Sequence, residues 1–186
     1  KKIGDGSFKT IPVINDNGDY IVDSWSIAEH LDDKYPERPP ILGGSDGIQH
    51  ARFIQEWAVA RISQFLFTMI VEDIHAHLTP EDQEWFYDSR SKRLGRDITG
   101  VQLGRESRLI ELRQRLEPMR SVVRDTPYLG GELPTYADYV AFSPFIWART
   151  VSSLALLEKD DPIYSWLQRI LDLYDGLARK NPGYDW

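Results

Sequence analysis

The chain has 186 residues, with 22 Lys and Arg against 29 Asp and Glu and a formal net charge of -7 at pH 7, a balance that argues against nucleic acid as a partner because phosphate binding needs clustered cations. It contains no cysteine, so disulfides and thiolate metal sites are excluded. Hydrophobic residues at 41% and six Trp supply the apolar surface of an unstapled core.

No apolar run approaches the roughly 20 residues of a membrane span, and the start Lys1-Lys2-Ile3-Gly4-Asp5-Gly6 has no signal-like apolar stretch. A cytoplasmic protein without a membrane partner is expected. The first residue is not Met, so the given chain is expected to begin after processing, truncation or a disordered segment.

In chain order, Ile11 to Ile14 and Tyr20 to Val22 flank Asp16-Asn17-Gly18, which predicts a β-hairpin. At Asp23-Ser24 the period changes to helical, with Ile27, Ala28, Leu31 and Tyr35 on one stripe and Asp23 or Ser24 as the cap. The helix is expected to end before Pro36. Residues 37–47 are rich in Pro and Gly and read as a linker, with no Lys or strand-helix setting for a phosphate loop.

Everything beyond reads as helical. One stripe holds Ile54, Trp57, Ala58, Phe65, Met69 and Ile70, and another holds Leu109, Leu112, Leu116, Met119 and Val123, with a weaker helix over Pro80–Leu94 between them. Pro134-Thr135-Tyr136-Ala137-Asp138 forms a capping box, in which the Asp138 side chain reaches back to that of Thr135. The helix it opens is apolar on nearly every face through Val151, which makes it central, and Pro144 is expected to kink it. Ile163, Leu167, Ile170, Tyr174 and Leu177 form a final amphipathic stripe. No metal site is expected: His75 and His77 have neither helical i, i+4 spacing nor a HExxH setting.

Three features stand in a fixed order: Thr10-Ile11-Pro12 opening a strand, Asp23-Ser24 at a helix start, and a buried helix led by Pro-Thr-x-x-Asp. Taken singly, the first is an ordinary turn and the second a helix cap. Together they resemble the cytosolic glutathione S-transferases over nearly the whole chain. The resemblance implies an α+β thioredoxin-like portion, incomplete here as a β-hairpin plus one helix over 1–36. The linker 37–47 and an all-helical domain over 48–186 would follow.

It further implies a cis bond before Pro12, exposing the backbone of Ile11 to the cysteinyl unit of glutathione as a short added strand. Thr10, Ile11, Pro12, Asp23 and Ser24 are thus candidate glutathione-binding residues. Ser24 and the free N–H groups of its helix start suit the γ-glutamyl carboxylate, and Asp23 suits the ammonium. Thr135 and Asp138 are folding elements in that family. Trp57, Phe65, Phe67 and Trp147 are core candidates, one or two of which would line an apolar pocket for a second substrate, a small hydrophobic electrophile.

Longer stretches (Asp23 to Asp32, Tyr128-Leu129-Gly130-Gly131, Asp160-Asp161-Pro162 and Leu171 to Leu177) are similar to the bacterial lignin β-etherase branch and its fungal etherase-like relatives. In that branch the glutathione thiolate displaces a phenolate from an aryl ether. The resemblance carries a homodimer with it. It also departs at one point: the family's thiol-activating residue belongs to a first βαβ unit of roughly 30 residues, and only eleven residues precede Pro12. The catalytic residue is therefore expected in an N-terminal segment outside this sequence. A non-catalytic dimerisation or scaffold module, or a glutathione-dependent reductase or isomerase on the same scaffold, is the alternative.

Overall fold

The computed structural model describes Phe8 and residues 10–185. Strands β1 (Val13–Asp16) and β2 (Asp19–Val22) pair antiparallel, with Val13 opposite Val22 and Asp16 opposite Asp19. The connection is Asn17-Gly18, both at positive φ (56° and 104°). Two successive left-handed residues are what a two-residue hairpin needs, so the Asn-Gly pair sets the register. The ladder starts at Val13 rather than Ile11, because Pro12 has no N–H to contribute.

Helix α1 (Ser24–Lys34) follows directly, capped by Asp23. It is clamped to the hairpin by Asp16, whose carboxylate accepts from His30 Nε2 at 2.7 Å and Tyr35 Oη at 2.7 Å and pairs with Lys34 Nζ at 2.9 Å. Hydrogen bonds from His30, Lys34 and Tyr35, in that order, outweigh burial and hold the Asp16 carboxyl well below the usual carboxylate range. A second aspartate pins the next turn: Asp32 accepts from the N–H of Ile41 at 2.6 Å and of Leu42 at 2.9 Å.

Helix α2 (Gly44–Ala58) begins inside the stretch expected to be linker. The chain folds back so tightly that a Cβ on Gly47 would lie 2.3 Å from the Leu42 carbonyl oxygen. Glycine at 47 is therefore part of the helix start, not of a flexible connector. A π-helical turn over Val59–Ser63 joins α2 to α3 (Gln64–His77) without a break. Helix α4 (Pro80–Leu94) is capped by Thr79, whose hydroxyl accepts from the N–H of Asp82.

The stripe expected as one helix through Val123 is two, α5 (Arg105–Arg115) and α6 (Glu117–Val123), parted where Pro118 occupies the first turn of the second. Helix α7 (Tyr136–Val151) runs through Pro144 as one element. Helix α8 (Pro162–Gly176) is N-capped by Asp161 and loses helical geometry at Leu173, Tyr174 and Asp175. Tyr174 and Leu177 are consequently exposed, not members of the buried stripe as expected. With φ of 54° and 56°, Tyr174 and Asp175 turn the backbone left-handed and end the periodicity there.

The main core gathers α3, α5, α7 and α8 around Leu66, Ile70, Leu112, Phe145, Ile163 and Trp166. A second cluster of Trp25, Ala28, Leu42, Ala51 and Tyr136 joins α1 to α2 and the start of α7. Asp138 is wholly buried. Its Oδ1 accepts from the Leu129 N–H at 2.7 Å and the Trp166 indole N–H at 2.9 Å; its Oδ2 accepts from the N–H groups of Gly130 and Thr135, each at 3.0 Å. The reach-back to Thr135 is thus chiefly to its backbone, with the hydroxyl farther at 3.5 Å.

Candidate functional site

The hairpin delivers Ile11 and Pro12 to the mouth of α1. The Ile11–Pro12 bond is cis, and the Pro12 carbonyl accepts from the Asp23 N–H at 3.3 Å, which ties the strand-opening turn to the helix cap. Ile11 is 80% exposed, and among the described residues its backbone makes no hydrogen bond. A free N–H and C=O at the edge of a two-stranded ladder can accept an extended peptide unit. Thr10 is also exposed.

Asp23 has φ 77° and spends one carboxylate oxygen on the fold. Its Oδ2 accepts from the N–H of Trp25 at 3.2 Å and of Ser26 at 3.1 Å. Two of the helix-start donors are thereby taken, which narrows the sequence expectation of several free N–H groups to the Ser24 N–H and hydroxyl. Oδ1 of Asp23 has no partner among the described residues and is available to a cation.

Three residues at this site, Tyr136, Gln55 and Arg52, escaped sequence reasoning. Tyr136 Oη lies 3.1 Å from Ser24 Oγ and donates to Gln55 Oε1 at 2.8 Å, linking the α1 start to α2 and α7. Its ring meets Trp25 edge-on at 5.4 Å between centroids. Burial pushes the Tyr136 phenol up, with the Ser24 hydrogen bond opposing and the Asp23 charge adding to the rise, so the phenol stays a neutral donor. The signal for Tyr136 was its place in the capping box, where local sequence says nothing of a partner 112 residues away. Arg52 adds a cation, its guanidinium carbon 3.7 Å from the centroid of the Trp25 ring.

Of the four aromatic candidates, Phe67 and Trp147 are brought together, whereas Trp57 and Phe65 lie elsewhere. Trp57 lines an apolar cavity of about 320 Å³ between α2 and α6 with Phe53, Met119 and Leu129. Trp147 lines a separate cleft of about 490 Å³ with Val59, Ser63 and Phe67. Phe65 lines neither, and the Arg115 guanidinium carbon lies 4.2 Å from the centroid of its ring. Trp57 and Phe65 are eight residues apart, about 80° of rotation on a regular helix, and the intervening π-helical turn changes that register again.

Comparison with known proteins decides the family. Residues 50–166 match the model of the glutathione S-transferase C-terminal domain, and residues 4–39 that of the N-terminal domain. The chain belongs to the glutathione S-transferase family. Among solved structures it is similar to the glutathione transferase GSTFuA3 of Phanerochaete chrysosporium, at 27% identity and TM-score 0.68 over 95% of this chain and 69% of that one. GSTFuA2 of the same fungus is similar at 25% identity and TM-score 0.67, covering 95% and 70%. The glutathione S-transferase CsGST83044 of Ceriporiopsis subvermispora, solved in complex with glutathione, shares the fold at 24% identity and TM-score 0.63, covering 90% and 66%. The chain spans about two thirds of the length of each of these. In this glutathione S-transferase family member the thioredoxin-like part contributes the hairpin and α1, and the helical domain contributes α2 to α8. Among the described residues no helix is long and apolar enough to cross a membrane.

Proposed function

We propose that this chain binds glutathione at the junction of the hairpin and α1 and conjugates its thiolate to an aromatic or aryl-ether electrophile. The observation that carries the reading is the open Ile11 backbone held beside the α1 cap by the Pro12–Asp23 hydrogen bond. The cysteinyl unit pairs with Ile11. The γ-glutamyl carboxylate takes the Ser24 N–H and hydroxyl at the positive end of α1, and the ammonium takes Oδ1 of Asp23. β-Etherase-like cleavage, with phenolate as leaving group and a glutathione thioether as product, belongs to this reading, as do a homodimer and a cytoplasmic location.

The test is retention on immobilised glutathione with the full-length protein. Loss of the Asp23 charge removes a charge-assisted bond of about 1.5–3 kcal/mol, so Asp23→Asn, which retains the cap, should weaken binding by roughly 10- to 150-fold. Unchanged retention by Asp23→Asn and Ser24→Ala would overturn the site, and a parent that is not retained would leave a non-catalytic module. Turnover of a β-aryl ether ketone, read as thioether mass, separates the etherase chemistry from general conjugation.

A further inference from the structure

The cleft bounded by the π-helical turn, α3, α4 and α7 combines an aromatic floor with a cationic rim. Phe67 and Trp147 stack with centroids 6.0 Å apart and planes 20° from parallel, and Trp147 is 37% exposed, leaving part of its indole uncovered. Arg90 and Arg93 of α4 stand at the edge, with guanidinium carbons 5.0 Å from the Phe86 centroid and 5.9 Å from the Phe67 centroid.

The chain's arginines divide between those with and those without an acidic partner. Arg105, Arg113, Arg115, Arg120, Arg149 and Arg179 each face a carboxylate. Among the described residues Arg90 and Arg93 join no ion pair, and Arg90 reaches only the Ser89 hydroxyl at 3.4 Å. Other arginines, Arg61 and Arg124 among them, also join no ion pair among the described residues, and what distinguishes Arg90 and Arg93 is that both line one aromatic cleft in a chain of net charge -7. Their planar forks suit a carboxylate, and an aromatic face beneath suits a flat ring.

The cleft also lies on the same side of α7 as the glutathione junction. Trp147 follows Tyr136 by eleven residues, about 20° from the same face and roughly 16 Å along the axis. Val59 and Ser63 of the π-helical turn form part of its wall, and such turns recur at functional sites because they displace side chains from the regular helical register.

We propose that this cleft binds a planar aromatic ring bearing a carboxylate, the ring on Trp147 and the carboxylate across Arg90 and Arg93. As the electrophile's pocket it rests on the function proposed above and narrows that electrophile to aromatic acids; as a binding site it stands by itself. The experiment is calorimetric titration of the full chain with 2-naphthoate and its uncharged isostere 2-naphthamide, alongside retention on immobilised glutathione.

The parent should bind naphthoate at least tenfold tighter than naphthamide. The R90Q/R93Q double variant should bring the two within about twofold, and Trp147→Ala should weaken both several-fold, with melting curves showing that each variant is folded. Equal affinity of the parent for the two probes, discrimination persisting in R90Q/R93Q, or no effect of Trp147→Ala on either probe would each overturn the proposal. Glutathione retention separates the two readings. A parent that discriminates the probes but is not retained keeps this site and loses the glutathione reading, whereas a retained parent that does not discriminate loses this site alone.

Discussion

Replacing Asp138 by Asn is a nearly isosteric change that should cost the protein much of its stability. Each carboxylate oxygen accepts from two N–H groups, Leu129 and the Trp166 indole on one side and Gly130 and Thr135 on the other. Whichever way the carboxamide is turned, its NH₂ faces two donors and two hydrogen bonds are lost. At about 1.5–3 kcal/mol for each bond to a charged acceptor, the loss is about 3–6 kcal/mol, against a total of roughly 5–15 kcal/mol for a typical domain. For a chain of this length that is a fall in Tm of about 6–24 °C. Urea unfolding followed by tryptophan fluorescence and thermal melting by circular dichroism would measure it. Trp166→Phe, which removes one donor and leaves three, should cost less and covers the case in which the Asn variant does not fold. An unfolding free energy for Asp138→Asn within about 0.5 kcal/mol of the parent would refute the reasoning, since it would mean that the four N–H groups find other acceptors at no cost.

Three further outcomes follow from single contacts. Asp161 both caps α8 through the Ile163 N–H at 2.9 Å and receives Arg120, whose Nη2 lies 2.9 Å away; Asp161→Ala should cost about 2–4 kcal/mol in urea unfolding, more than Asp161→Asn, which retains the cap. The Asp16 carboxyl is lowered by its bonds to His30, Lys34 and Tyr35, so its contribution is fully present above the ordinary carboxylate range near 4 and lost as pH falls through its lower folded value. Asp16→Asn should therefore flatten the acid limb of the stability profile, and an unchanged limb would remove the clamp from the account. Tyr136→Phe should raise the glutathione Kd roughly 2- to 12-fold by removing one neutral bond of about 0.5–1.5 kcal/mol at Ser24, measured by calorimetry with an unfolding control.

What the sequence made legible was local. Asn17-Gly18 specifies its turn because two left-handed residues are needed there, and Thr135 to Asp138 announces a helix start because cap and reach-back lie within one turn. What it hid was long-range or arose from departures in register. The π-helical turn over Val59–Ser63 interrupts no hydrophobic stripe, so nothing in the periodicity marks it, yet it lies between Trp57 and Phe65 and alters the rotation between them. The left-handed pair Tyr174-Asp175 looked like two more helical positions.

The same distinction applies to the proposed glutathione site. Asp23 and Ser24 could be read as a cap, and both are engaged in the fold: one oxygen of Asp23 holds the helix start, and the Ser24 hydroxyl lies against Tyr136. A cap and a ligand site are compatible because the donors and acceptors are divided. Among the described residues Asp23 keeps Oδ1 free while Oδ2 caps. Ser24 has one proton and two lone pairs; when it donates to a ligand carboxylate it must accept from Tyr136, whose single proton then leaves Gln55 Oε1. The proposed ligand binding at α1 would thereby be linked to Tyr136, the first residue of α7, so the helical domain would set the direction in which the serine can donate.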